Sequence, residues 1–153
     1  MQTQICEPAT DERLVAIWIA MPDPAEIART WPHREGLYSR ALERSYQRAD
    51  TVETVSDMLA RGRAWAFDAM CGDGMIGSCV VEREFCKDGV WLNIWCLAGQ
   101  SLDDWFDPML DAIEEWSRRI DCEGVRFAGR KGWAKMMRRR GYNQKMIVMD
   151  KRV

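Results

Sequence analysis

VWLNIWCLAGQ (90–100), SLDDWFDPMLDAIEEWSRRI (101–120), GVRFAGR (124–130) and KGWAKMMRRRGY (131–142) follow one another in the second half of the chain. They read strand, helix, strand, helix. In the first segment Val90, Leu92, Ile94 and Cys96 alternate onto one face, and Trp91, Trp95 and Leu97 onto the other, interrupted by Asn93. A strand apolar on both faces is central and covered on both sides. In the second segment Trp105, Met109, Ile113 and Trp116 recur at i, i+4, i+8 and i+11, one apolar helix face. Ser101 or Asp103 caps that helix, and Pro108 lies close enough to its start to be tolerated.

Working outward, AWAFDAM (64–70) and MIGSCVVEREF (75–85) read as strands, with Trp65 and Phe67 on one face. The turn compositions CGDG (71–74) and CKDG (86–89) join them to each other and to the central strand. The first sixty residues read as mainly helical. Residues 2–8 predict a short strand. Thr10 predicts a helix cap before Leu14, Ile17, Trp18 and Met21. Asp23-Pro24-Ala25-Glu26 opens a second helix, which should end near Trp31-Pro32 because a residue before proline avoids the helical region. Tyr38, Leu42, Tyr46 and Ala49 fall on one helical face. Asp50 with Glu53 forms a capping box for a last helix with the stripe Val52, Val55 and Leu59, closed by Gly62. KMIVMDKRV (145–153) predicts a closing strand. The order β, several α, βββ, α, β, α, β predicts a single mixed α/β domain over residues 1–153.

Composition agrees with a soluble globular domain: 47% hydrophobic and 30% charged residues over 153 positions. Eight tryptophans and ten methionines point to a heavily packed core. A net charge of −2 gives no general attraction to nucleic acid or anionic lipid. The opening MQTQICEPATDER has no basic leader, and no apolar run approaches a membrane span, so the expectation is a cytoplasmic protein with no membrane partner. Cysteines 6, 71, 79, 86, 96 and 122 make no C-x-x-C pair, and His33 is the single histidine, so no metal is expected. Cys79 and Cys96 lie inside strands, where a reduced cysteine acts as a small buried hydrophobe.

Three stretches resemble the GNAT superfamily of acyl-CoA-dependent N-acetyltransferases. TQICEPATDERLVAIW (3–18) looks like its opening strand and helix. AWAFDAMCGDGMIGSCVV (64–81) looks like its second and third strands around a tight turn. WAKMMRRRGY (133–142) sits where the family has a helix and turn of the form A-x-x-L-Y-x-x-x-G-F. The resemblance implies a mixed, splayed central sheet flanked by helices on both faces. It also implies acetyl-CoA between the fourth and fifth strands, with its pyrophosphate on backbone N–H groups at the next helix start. The positions so implicated are Leu97, Gly99, Gln100, Ser101 and, after the fifth strand, Arg130. A fainter likeness is to small GNAT-like proteins of tailed phages, which would place the chain in the host cytoplasm or the virion.

The sequence departs from the family pattern twice. Asp103 and Asp104 stand in the first turn of the helix that should bind phosphate. Acids suit a bare helix N-terminus but compete with an anion for its N–H groups. At an effective dielectric near 20 each like-charge pair costs roughly 3–4 kcal/mol. Met137 stands where the family tyrosine, a general acid, would fall.

These departures lead to the expectation of a binding or assembly protein without ordinary acetyltransferase activity, phage-encoded and virion-associated, with no cofactor. The alternative is an active N-acetyltransferase using acetyl-CoA. A second alternative is a nucleic-acid-binding module built on Arg130, Lys131, Lys135, Arg138, Arg139 and Arg140, which the acidic net charge disfavours. No catalytic residue is assigned; Asp68 and Glu84 could act as bases if the cleft reaches them, and Asn93 reads as a satisfied buried amide. The basic cluster has an acidic counterpart on the preceding helix (Asp103, Asp104, Asp107, Asp111, Glu114, Glu115). If the two lay on opposite sheet faces, the molecule would be electrically polar and suited to a protein partner or homo-oligomer.

Overall fold

The architecture comes from a computed structural model that describes residues 15–44 and 50–153, together with the backbone of residues 2–5. Six strands form one sheet in sequence order: β1 (Gln2–Ile5), β2 (Val15–Ile19), β3 (Ala64–Cys71), β4 (Gly74–Cys86), β5 (Gly89–Gly99) and β6 (Val125–Phe127). The first five are antiparallel neighbours, and β5 pairs β6 in parallel. Helices α1 (Pro24–Glu43), α2 (Val52–Ala60), α3 (Leu102–Arg119) and α4 (Trp133–Arg139) fill the connections. The fold is the mixed α/β sheet with helices on both faces that the sequence predicts. No helix among the described residues is long and apolar enough to cross a membrane.

The sheet divides two cores. On one face α3 and α4 bury Trp105, Phe106, Met109, Leu110, Ile113 and Met137 against Phe67, Cys79, Val81, Leu92 and Ile94. On the other, α1 and α2 bury Ile27, Leu37, Tyr38, Val55 and Leu59 against Ala64, Ala66, Val80 and Cys96. The small residues of β3 on this second face let the helices approach closely.

Four expectations fail here, each for a physical reason. Residues 15–19 form β2, not a helix: Val15 and Ile17 are buried while Trp18 is exposed, a period of two carried by β-branched side chains. Thr10 and Leu14 lie outside the described residues. Helix α1 does not stop at Pro32 but runs on to Glu43. Its stripe is continuous across the proline, Ile27, Trp31, Arg34 and Tyr38, and the buried arginine hid that continuity from a hydrophobic reading. The missing proline N–H leaves unpaired the carbonyl of Ala28, an exposed residue open to water. Tyr46 and Ala49 of the expected third helical face lie outside the described residues. Helix α2 is capped by Thr51 rather than Asp50, and Asp50 instead accepts from Trp95 Nε1 at 3.1 Å. The closing strand is absent: residues 143–153 are exposed and outside the sheet.

The start of α1 is set by Asp23, whose Oδ1 accepts from the N–H groups of Ala25 (2.8 Å) and Glu26 (3.2 Å), with Pro24 at the first helical position. Asp23→Ala is expected to lower stability by about 1 kcal/mol in urea denaturation, with an unchanged m-value.

A buried polar cluster fastens α1 to the sheet. Arg34 Nε and Nη2 donate to the two oxygens of Asp68 on β3, at 3.0 and 2.6 Å. Its third nitrogen reaches Thr30 Oγ1. Ser78 Oγ donates to Asp68 Oδ1 at 2.7 Å, because a carboxylate can only accept. Tyr38 OH must then donate to Ser78 Oγ across their 2.5 Å contact. Burial, reinforced by the Asp68 charge, holds the Tyr38 hydroxyl well above its ordinary pKa. Asp68 is therefore a fully engaged structural carboxylate, not a base.

Candidate functional site

The site grows from one irregularity in β5. Val80 of β4 pairs with Cys96, while the next residue, Val81, pairs with Ile94. Trp95 is the extra residue of a β-bulge. The alternation expected along β5 breaks there: Cys96 joins Trp95 on the α1 and α2 face, and Leu97 turns to the α3 face. A bulge bends its strand and sharpens the twist. The ladder between β5 and β6 covers Leu92–Ile94 against Val125–Phe127 and ends at the bulge. Beyond it β5 runs on to Gly99 beside β4, so the sheet splits at the C-terminal ends of β5 and β6.

The upper end of β5 delivers the chain into α3. Gly99 lies opposite Gly77 in the ladder, and the indole of Trp105 closes over both. A Cβ at Gly77 would fall 2.4 Å from that ring, and one at Gly99 would fall 2.5 Å from the Gly77 Cα, so neither position accepts a side chain. Trp105 is wholly buried, and its Nε1 donates to the Gln100 carbonyl at 2.7 Å. Gln100 N donates to Ile76 O at 2.8 Å. The turn is thus held by its backbone, and the Gln100 side chain is left outward. Ser101 then takes a left-handed conformation (φ 50°) and makes no side-chain cap, although Asp104 N returns to its carbonyl at 2.9 Å. The first N–H groups of α3 have no capping side chain at the mouth of the split, which suits an anion.

The residues singled out from sequence divide accordingly. Gly99, Gln100 and Ser101 do come together at this turn. Leu97 is half-buried in the α3 core, so it supports the turn from below. Arg130 is exposed, three residues beyond β6 on the other side of the split. Asp103 and Asp104 occupy the first turn of α3 as expected, but both are exposed. Water screens exposed carboxylates, so the penalty of roughly 3–4 kcal/mol per pair is too large for this geometry. Met137 is buried in the α3 and α4 core. Tyr142 OH donates to Glu114 Oε1 at 3.1 Å, and burial, with the Glu114 charge, raises its pKa. Neither side chain is placed as a proton donor.

The basic cluster is not one patch. Arg140 turns back onto α3, bonding Asp111 and approaching Glu114 (3.6 Å) and Asp107 (3.8 Å). The acidic and basic helices therefore share one sheet face and neutralise each other in part, so the condition for an electrically polar molecule, the two on opposite faces, is not met. Arg138 donates to Gln144 Oε1 at 3.0 Å, while Lys131, Lys135 and Arg139 are exposed. Among the described residues no group of side chains could hold a metal ion.

Sequence reasoning missed Glu82. It stands opposite Asn93, one residue short of the split, on the face that carries α1 and α2, and is 9% exposed. Asn93, half-buried rather than buried, donates to it from Nδ2 at 3.5 Å. The available signal was an acid directly after the apolar pair VV within VVEREF. Glu84, by contrast, pairs toward the far end of β5, near Arg126, away from the split.

No family model and no curated protein matches the sequence. Solved structures do. An aminoglycoside N-acetyltransferase in complex with CoA aligns at a TM-score of 0.66, 12% identity, covering 95% of this chain and 99% of that one. A predicted acetyltransferase from Clostridium acetobutylicum, with acetyl-CoA, aligns at 0.64 and 10% identity over 90% and 96%. An aminoglycoside acetyltransferase from an uncultured soil metagenomic sample, in complex with sisomicin, aligns at 0.64 and 12% over 91% and 96%. These neighbours overturn the expectation of a binding or assembly protein without acetyltransferase activity or cofactor. They are acetyltransferases, and two were solved with CoA or acetyl-CoA. They give the phage resemblance no support. At this identity the likeness fixes architecture, and the chain has the fold of the GNAT-family acetyltransferases.

Proposed function

We propose that the protein is an acyl-CoA-dependent N-acyltransferase that moves an acetyl group from acetyl-CoA to an amine. The observation that carries this reading is the split sheet. The bulge at Trp95 parts β5 from β6 beside a helix N-terminus whose N–H groups no side chain caps. Structural neighbours solved with CoA and acetyl-CoA support it.

The residues present fit such a cofactor. The first N–H groups of α3 suit a diphosphate. The glycine pair Gly77 and Gly99 allows the turn to sit tight beneath Trp105. Asp103 and Asp104 weaken the anion site without closing it. Bound acetyl-CoA supplies the acyl group as a thioester. The stretch of β5 beyond Ile94 has no β6 ladder beside it, so its edge would be open to hydrogen bonding by the cofactor. Glu82 accepts the proton that the attacking amine nitrogen must lose as the C–N bond forms. With Tyr142 turned onto Glu114 and a thioether at Met137, the departing thiolate takes its proton from water.

Calorimetry and thermal melting with acetyl-CoA test the binding step. Ligand at 100 times its Kd should add about 2.7 kcal/mol of stability, and an unmoved melting curve would dismiss the proposal. Release of free CoA thiol in the presence of an amine panel tests turnover. Replacing Asp103 and Asp104 by asparagine is expected to tighten acetyl-CoA binding roughly three- to tenfold at low salt, less at high salt. Unchanged affinity would remove those acids from the account. Glu82→Gln is expected to lower kcat by about 10²–10⁴ with the melting temperature kept. An unchanged kcat would exclude Glu82 as the base.

A further inference from the structure

The bulge that parts β5 from β6 is not fixed by the ladder that contains it. Val81 pairs with Ile94 and Val80 with Cys96, so Trp95 is the extra residue. If Val81 instead lined up with Trp95, every other pair of the β4–β5 ladder would survive and Ile94 would become the extra residue. The two registers differ in which way Trp95 points. Val80 belongs to the α1 and α2 core and Val81 to the α3 core. A side chain opposite Val81 would face α3, because cross-strand partners share a face. The registers also differ in where the sheet splits. Ile94 is the last β5 residue paired to β6, opposite Phe127. A bulge at Ile94 would break that rung and lower the base of the split by one residue, about 3.3 Å.

The observed register is selected by a contact from outside the sheet. Trp95 Nε1 donates to Asp50 Oδ2 at 3.1 Å, across 45 positions of sequence. An indole N–H only donates, and turning it into the apolar α3 core would leave that acceptor behind. Asp50 is itself held in place. It directly precedes Thr51, whose side chain caps α2 by accepting from Thr54 N at 3.3 Å. Val52 and Val55 of that helix pack in the same core as Trp95. We propose that Asp50 is a positioning residue for the acyl-CoA slot: by holding the Trp95 indole it fixes the bulge at Trp95, and with it the place where β5 and β6 part. Asp50 acts through Trp95 and needs no contact with the ligand. The inference rests on the proposed function for what the slot holds, and not for how the register is set.

Two readouts keep those parts separate. Cross-strand proton contacts of Val81 in nuclear magnetic resonance spectra report the register, and calorimetry with acetyl-CoA reports affinity. In the wild type Val81 should lie opposite Ile94. Asp50→Ala should bring Val81 opposite Trp95 in a measurable share of molecules, with an unchanged far-UV spectrum. It should also raise the Kd for acetyl-CoA about tenfold, the equivalent of one hydrogen bond to a charged group. Asp50→Asn keeps an accepting oxygen and should retain the wild-type register and a Kd within about threefold. Trp95→Phe should match Asp50→Ala, and the double variant should bind no more weakly than either single one, because the two side chains form one contact. An Asp50→Ala protein that keeps the wild-type register, or the wild-type Kd, overturns the proposal. So do effects of Asp50→Ala and Trp95→Phe that add, and so does an Asp50→Asn variant as impaired as the alanine one. A wild-type protein that binds no acetyl-CoA sinks the proposed function, and the Val81 contacts then decide alone whether Asp50 sets the bulge.

Discussion

Asp68→Ala is expected to cost about 3–5 kcal/mol, a large part of the stability of a domain this size. The side chains of Arg34 and Asp68 are 3% and 6% exposed, and they meet through two hydrogen bonds. Removing the carboxylate leaves the guanidinium buried beneath α1 with Thr30 as its remaining side-chain partner, and leaves Ser78 Oγ only its longer bond to the Phe67 carbonyl, 3.3 Å. The sign of the effect comes from the orphaned charge. For the guanidinium, burial alone would lower the pKa, but the hydrogen bond and charge of Asp68 outweigh it, so the net shift is upward. Equilibrium urea denaturation checks the magnitude, and a loss below about 1 kcal/mol would mean that water reaches Arg34. Replacing both partners, Arg34→Met with Asp68→Leu, should cost less than Asp68→Ala alone, since it buries no unpaired charge. If the double variant is the less stable, the pair contributes net stability beyond mutual neutralisation.

Trp105→Ala is expected to cost about 3–5 kcal/mol through the cavity it leaves, and also to abolish any stabilisation by acetyl-CoA. Trp105 lies over the close approach of Gly77 and Gly99 in the ladder beneath α3 and holds the Gln100 carbonyl. Without it the turn that aims the N–H groups of α3 loses its cover and its donor. Trp105→Phe separates the two roles. It keeps most of the packing but removes the indole N–H, for an expected cost of about 1–3 kcal/mol. Melting temperatures of both variants, with and without acetyl-CoA, supply the readout. A phenylalanine variant with wild-type stability and ligand response would show that the hydrogen bond to Gln100 is dispensable.

What could be read from the sequence follows from how each element is stabilised. Helix α3 was legible because Trp105, Met109 and Ile113 are apolar and buried at helical spacing. The β3–β4–β5 meander was legible through its turns. Helix α1 was not, because the residue that carries its stripe past Pro32 is an arginine whose burial depends on an aspartate 34 positions later. A local pattern cannot contain a distant partner. Strand β2 was mistaken because its five residues fit a helical stripe as well as a strand. At the candidate site, Gly99, Gln100 and Ser101 were reached through the family resemblance, which implies a phosphate turn between this strand and the next helix. The effect of Asp103 and Asp104 was overstated, since their exposure is a property of the fold. Glu82 stayed hidden because its place depends on register with Asn93.

The bulge in β5 has a consequence for chain length. Remove Trp95 alone and every remaining cross-strand pair is preserved: Ile94 with Val81, Cys96 with Val80, Leu97 with Cys79. The strand then alternates without interruption from Leu92 to Ala98. A single in-frame codon deletion would therefore yield a flatter sheet in which β6 could continue alongside β5 and seal the gap. In this register the cleft depends on one inserted amino acid, so an indel, more readily than any substitution, would create or erase it.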